Sequence, residues 1–151
     1  MEQFESDSEV LEFAIAREVS AHQFYMDLVE QMENEALRAL FERLAKDELR
    51  HKANLELEMM KVGKVVATQT QEADLEDTAV MIVVQPGADV DLKNALMLAI
   101  QKEKKSFRIY VDLSAMVRDE QSRETLLSLA EEEARHKVLL ELEYEMVAKG
   151  R

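Results

Sequence analysis

Glutamate and histidine recur three residues apart at two places in the chain, in Glu48-Leu49-Arg50-His51 and in Glu133-Ala134-Arg135-His136. Residues three apart on an α-helix share a face, so each pair can offer a carboxylate and an imidazole to one point. Thirty residues upstream of each motif glutamate stands another, Glu18 before Glu48 and Glu103 before Glu133. Four carboxylates and two imidazoles are the donor set of a two-metal site. The chain has no cysteine, which excludes disulfides, thiolate-held zinc and iron–sulfur centres and leaves oxygen and nitrogen donors. One histidine per metal among many carboxylates suits iron or manganese better than zinc or copper. The expected arrangement has two irons, with manganese as the alternative. Glu48 and Glu133 bridge them, Glu18 and His51 serve one ion, and Glu103 and His136 serve the other.

The chain is rich in acid, so accidental glutamate patterns must be excluded. The offset between the two motifs is 85 residues, and it also places Ala14-Ile15 on Ala99-Ile100, Tyr25 on Tyr110, Asp27 on Asp112 and Leu28 on Leu113. Further on, Arg50-His51-Lys52 falls on Arg135-His136-Lys137, and Leu55-Glu56-Leu57-Glu58 on Leu140-Glu141-Leu142-Glu143. A register kept without a gap through His, Tyr and Arg is a duplicated helical hairpin. His22 has no counterpart, since Phe107 stands at its repeat position, and it is read as structural rather than ligating.

The elements that must position these residues are helices. One proline and three glycines in 151 residues, with abundant Leu, Ala, Glu and Lys, disfavour strands. Four long helices are predicted, at about 8–32, 35–62, 90–118 and 120–149. Ser6-Asp7-Ser8-Glu9 is read as a capping box opening the first, and Gly63 as the C-terminal stop of the second. Apolar seams run at spacings of three and four: Leu11, Ala14, Ala21, Tyr25, Leu28 and Met32 in the first helix, Leu37, Phe41, Leu44, Leu55 and Val62 in the second. The third carries Leu92, Leu96, Ala99, Ser106, Tyr110, Leu113 and Val117, and the fourth Leu126, Leu129, Leu140 and Val147. A glutamate interrupts every seam near its middle, so the four carboxylates should meet at one level of a four-helix bundle. Uncompensated, buried charges of one sign cost several kcal/mol each or shift their pKa values. Two divalent cations would supply the countercharge. Glu58 and Glu143, also on seams, are read as end-of-bundle residues, and the nine methionines as core filler. The segment 63–89 is long enough to run the length of the bundle, making two antiparallel hairpins joined by one crossover. Its apolar stretch, 79–84, is expected to pack on its own bundle, with contact to a second copy in a homodimer as the other possibility.

Composition narrows the partners. A net charge of −13 disfavours nucleic acid and anionic membrane surfaces. With no signal-like N-terminus and no run long enough to span a bilayer, a cytoplasmic location is expected.

Glu, Glu-x-x-His, Glu and Glu-x-x-His on four successive helices resemble the ferritin-like di-iron carboxylate proteins. The length, the duplication and the tyrosine seven residues after each isolated glutamate resemble the di-iron domain of rubrerythrins. That likeness covers essentially all of residues 1–151, read as a single all-α ferritin-like domain. It implies two irons held by Glu18, Glu48, His51, Glu103, Glu133 and His136, with Tyr25 and Tyr110 as hydrogen-bonding partners around them. It also implies reaction with hydrogen peroxide or dioxygen and electrons from an external donor, as an oxidoreductase of peroxidase or ferroxidase type; iron sequestration is the alternative. The pattern departs from typical rubrerythrins at Ser106, where a further glutamate is usual, and in having no cysteines for a rubredoxin domain.

Overall fold

In a computed structural model, residues 4–62 and 92–150 are described. Among them the chain forms four helices and no strand: α1 (Asp7–Gln31), α2 (Glu35–Lys61), α3 (Leu92–Ser114) and α4 (Glu120–Ala148). The expected stop at Gly63, the crossover at 63–89 and its apolar stretch lie outside the described residues. None of the described helices is long and apolar enough to cross a membrane.

The helix starts obey capping chemistry, and two obey the repeat. Asn34 and Asp119, 85 apart, each turn a side-chain oxygen onto the backbone N–H three residues on, at Leu37 (3.0 Å) and Ser122 (2.9 Å). Each cap is worth about 1 kcal/mol. At α1 the expected capping box is only half made. Ser6 Oγ accepts from Glu9 N–H, but Glu9 reaches back to Glu5 N–H (2.9 Å) rather than to Ser6. The third helix ends four residues before the expected 118. Its last turn tightens through Ala115 and Met116 N–H bonds to Asp112 and Leu113 carbonyls, and Arg123 covers the carbonyls of Ser114 and Val117. Asp7 then pins the α3–α4 connection, accepting 2.9 Å hydrogen bonds from both Arg118 and Asp119 N–H.

Helices α1 and α2 pack as one hairpin, α3 and α4 as the other. Between hairpins, Tyr25 meets Glu103 and Tyr110 meets Glu18, so α1 and α3 run antiparallel. His51 with Glu132 and Asp47 with His136 show the same for α2 and α4. The end of α2 and the start of α3 therefore lie at opposite ends of the bundle, the arrangement of a ferritin-like fold with one long connection.

The core is split in two. One apolar cluster joins Leu11, Leu55, Leu113 and Leu126 at one end, and another joins Leu28, Phe41, Leu96 and Leu140 at the other. Between them lies a polar level. The seams are buried as expected, apart from Val62 (37% exposed) and the partly buried Leu92, Glu143 and Val147. Each helix also buries residues off its seam, such as Ile15 and Val29 in α1. The methionines do not all fill the core: Met32 and Met59 are buried, while Met60, Met97, Met116 and Met146 are exposed. Flexible thioethers serve either setting.

Candidate metal centre

The polar level consists of Glu18 from α1, Glu48 and His51 from α2, Glu103 from α3, and Glu133 and His136 from α4, every one at most 4% exposed. Donor atoms from Glu18, Glu48, His51 and Glu133 lie within 4.8 Å of one another, and so do those from Glu48, Glu103, Glu133 and His136. Glu48 and Glu133 belong to both groups. The structure thus brings all six predicted residues together as two overlapping donor sets, each of which could hold a metal ion. His51 Nδ1 lies 3.0 Å from Glu48 Oε1 and 3.6 Å from Glu18 Oε2; His136 Nδ1 lies 3.1 Å from Glu133 Oε1 and 3.5 Å from Glu103 Oε2. The two rings stack at 5.9 Å.

Closeness here is not hydrogen bonding. Glu18, Glu48, Glu103 and Glu133 each keep Oε1 without a hydrogen-bond partner, and both histidines keep Nδ1 without one, all six atoms being buried. A buried polar atom left unpaired costs about 1–3 kcal/mol. Six of them converging on one space, on O and N donors alone, fit a metal-binding role and no hydrogen-bonded core.

The rest of each donor is held from outside. Tyr25 O–H donates to Glu103 Oε2 and Tyr110 O–H donates to Glu18 Oε2, each tyrosine reaching into the opposite hairpin. Both tyrosines are buried, and burial followed by the adjacent carboxylates pushes their pKa values well up, so they remain proton donors. Two further residues escaped sequence reasoning. Glu132 Oε1 sits 2.9 Å from His51 Nε2, and Asp47 Oδ2 sits 3.0 Å from His136 Nε2. A carboxylate there calls for a proton on Nε2, which turns the Nδ1 lone pair inward. Arg50 clamps both carboxylates, donating to Glu132 (3.0 and 3.3 Å) and to Asp47 (3.2 Å). A cavity of about 720 Å³ opens beside them, bordered by His136, Arg43 and Leu139.

Without metal the charges strain one another. Burial, then the neighbouring carboxylates, raises Glu48 and Glu133 well above the usual range. Burial acts the same way on Glu18, but the adjacent His51 imidazole outweighs it and leaves its pKa lowered. Burial depresses His51, yet Glu18 and Glu48 overcome it and push the imidazole up to about 12; His136, against the same penalty, is raised by Glu103, Glu48 and Asp47 to about 9. For Glu132, partial burial is outweighed by Arg50 and His51, which bring it down to about 2.

The other candidates stand apart. Ser106 is buried, and its Oγ accepts from Arg17 (3.4 Å) rather than touching a carboxylate of the cluster. His22 packs its Nδ1 3.1 Å from the Ala45 carbonyl. Glu58, buried at the bundle end, is satisfied by Ser122, Thr125 and Lys61 at 3.2 Å each.

A family model described as Rubrerythrin matches residues 9–144. The chain belongs to the rubrerythrin family. Among solved structures, this rubrerythrin-family chain is similar to a hypothetical protein from Pyrococcus furiosus, with a TM-score of 0.72 and 28% identity over 95% of this chain and 91% of that one. No curated protein matches at a significant level. The rubrerythrin match is to the ferritin-like di-iron domain, and it implies iron binding.

Proposed function

We propose that this chain is a non-haem di-iron oxidoreductase that reacts with hydrogen peroxide or dioxygen, reducing peroxide, oxidising Fe(II), or both. One observation carries the reading: two buried donor sets, each with its own histidine, share Glu48 and Glu133. Four carboxylates balance two divalent ions in charge. Glu18 and His51 would complete one position, Glu103 and His136 the other, and Glu48 and Glu133 would serve both. Two bound Fe(II) ions would supply the two electrons that, with two protons, convert one peroxide into two waters.

The chain's own residues do the rest. Tyr25 and Tyr110 hold one oxygen of Glu103 and of Glu18, leaving the other oxygen of each for metal. Asp47 and Glu132 fix the tautomer and ring angle of the histidines, and at 23% exposure they also link the buried level to solvent. Ser106, engaged with Arg17, adds no further donor, which keeps the set at six and symmetric.

Anaerobic titration with Fe(II), followed by optical and Mössbauer spectroscopy on adding peroxide or dioxygen, tests the reading. Two irons per chain, oxidised on mixing, are expected. Binding of one iron or none refutes the two-metal site. A loaded centre indifferent to both oxidants refutes the enzyme and leaves sequestration.

A further inference from the structure

The acidity of this chain is unevenly spread. Among the described helices α1 has one cationic residue against six acidic, α2 six against six, and α4 three against eight; α3 reverses the balance, with five lysines and arginines against two acidic residues. One of those two is the buried Glu103. Four of the five cations, Lys102, Lys104, Lys105 and Arg108, border a cavity of about 460 Å³ together with Phe24 and Leu98. Lys104 and Arg108 are exposed.

Behind this cationic mouth a short row of contacts leads to the centre. Lys102 Nζ lies 5.2 Å from the Phe24 ring centroid. Phe24 meets Tyr25 edge to face, with centroids 5.1 Å apart. The Tyr25 hydroxyl is bonded to Glu103. The duplication breaks at this face. The repeat keeps Tyr110 for Tyr25 and Glu18 for Glu103, but replaces Phe24 by Ile109 and Lys104, Lys105 and Arg108 by Val19, Ser20 and Gln23. Charge and ring are thus found together on one side of an otherwise twofold bundle.

We propose that the α3 face around Phe24 is the docking surface for an acidic single-electron carrier protein, whose electrons reach the centre by way of Phe24, Tyr25 and Glu103. The proposal rests on the di-iron reading above. Charge complementarity selects the partner, since a patch of this sign on a chain of net charge −13 steers negative surfaces to one spot and repels them elsewhere. In each turnover two reduced carriers give up one electron apiece and leave oxidised. Those two electrons return the oxidised metal pair to its reduced state, and no atom is transferred.

Calorimetric titration of the iron-loaded chain at low ionic strength, with oxidised [2Fe–2S] ferredoxin and in parallel with oxidised flavodoxin as acidic probes, reads docking without turnover. Lys104→Glu with Arg108→Glu should weaken binding of at least one probe by about tenfold or more, whereas the same charge change on α2, Arg38→Glu with Lys46→Glu, should leave it within about threefold. Equal loss in both variants, loss in neither, or no binding of either probe to the parent chain would overturn the surface. At saturating reduced probe, where affinity no longer limits the rate, Phe24→Leu should slow reduction of the loaded centre several-fold in anaerobic stopped flow, and an unchanged rate would overturn the aromatic route. Iron counted in the same samples separates the two readings. Fewer than two irons with α3-dependent binding intact refutes the di-iron reading alone, and two irons without such binding refutes the docking surface alone.

Discussion

Replacing Glu133 by glutamine should make the metal-free protein more stable and the iron-treated protein less so. Glu133 is 1% exposed and faces three other buried carboxylates, and its pKa is raised by burial and then by Glu103 and Glu18. A carboxyl group that holds its proton in the fold, but would lose it when unfolded at neutral pH, opposes folding by about 1.4 kcal/mol per pH unit above its ordinary value. From 4.5 to pH 7 the ceiling is about 3.4 kcal/mol. For a chain of this size the gain corresponds to roughly 2–4 °C in Tm per kcal/mol. Glutamine keeps the volume; alanine would lose part of the gain to a cavity. The sign follows from the raised pKa. The stability Glu133 contributes is intact below pH 4.5 and falls as pH rises toward its folded value, so the advantage of the variant should be near zero at pH 4.5 and grow toward pH 8. With Fe(II) present at about a hundred times the Kd of each of the two positions, the parent chain should gain about 2.7 kcal/mol per ion, about 5.4 kcal/mol together, and overtake the variant. Differential scanning calorimetry under nitrogen, with and without Fe(II), measures both. A glutamine variant that melts below the parent without metal, or gains as much from Fe(II), would refute the reasoning.

Other outcomes are expected. Asp47→Asn should lower metal affinity about 10–100-fold by freeing His136, with the helical circular dichroism unchanged; chelator competition reads it, and an unaltered affinity would dismiss the pairing. Tyr110→Phe leaves Glu18 Oε2 buried without its donor and should destabilise the metal-free chain by about 1–3 kcal/mol in urea. Metal affinity should climb between pH 6 and 9, because His136 and the raised carboxylates must release protons on binding. Calorimetry in buffers of different ionisation enthalpy would register that release, and binding without it would contradict the charge scheme.

Much of the fold and of the centre was legible because it is written twice. His51 and His136 are two of only three histidines, and a gap-free offset tied them to Glu18 and Glu103 without any appeal to composition. Seam periodicity then placed the four glutamates at one level, since each interrupts an otherwise apolar row. Asp47 and Glu132 were not legible for two reasons. They differ in type, so the repeat did not flag them, and each stands one residue before a motif glutamate, about 100° around the helix from the seam. They reach the histidines only because α2 and α4 run antiparallel and close, which no single helix records. Arg17 and Lys102 look like surface charges in sequence, yet both are buried, Arg17 bonded to Ser106 and Lys102 over the Phe24 ring. The early end of α3 escaped because no glycine or proline marks it. A side chain from the next helix, Arg123, covers its last carbonyls.

The contacts around the centre have a further meaning for how such a chain arises. Tyr25 reaches Glu103 and Tyr110 reaches Glu18; His51 pairs with Glu132 and His136 with Asp47. Each is its partner's mirror across the 85-residue offset, residue i touching j′ and j touching i′, which is the contact rule of a twofold homodimer. No hairpin completes its own set. A lone ancestral hairpin would have had to associate with a copy of itself before it could hold metal, and gene fusion would have freed the halves to diverge. Phe24, unmatched in the second half, and Lys104, Lys105 and Arg108, unmatched in the first, are what that freedom permits.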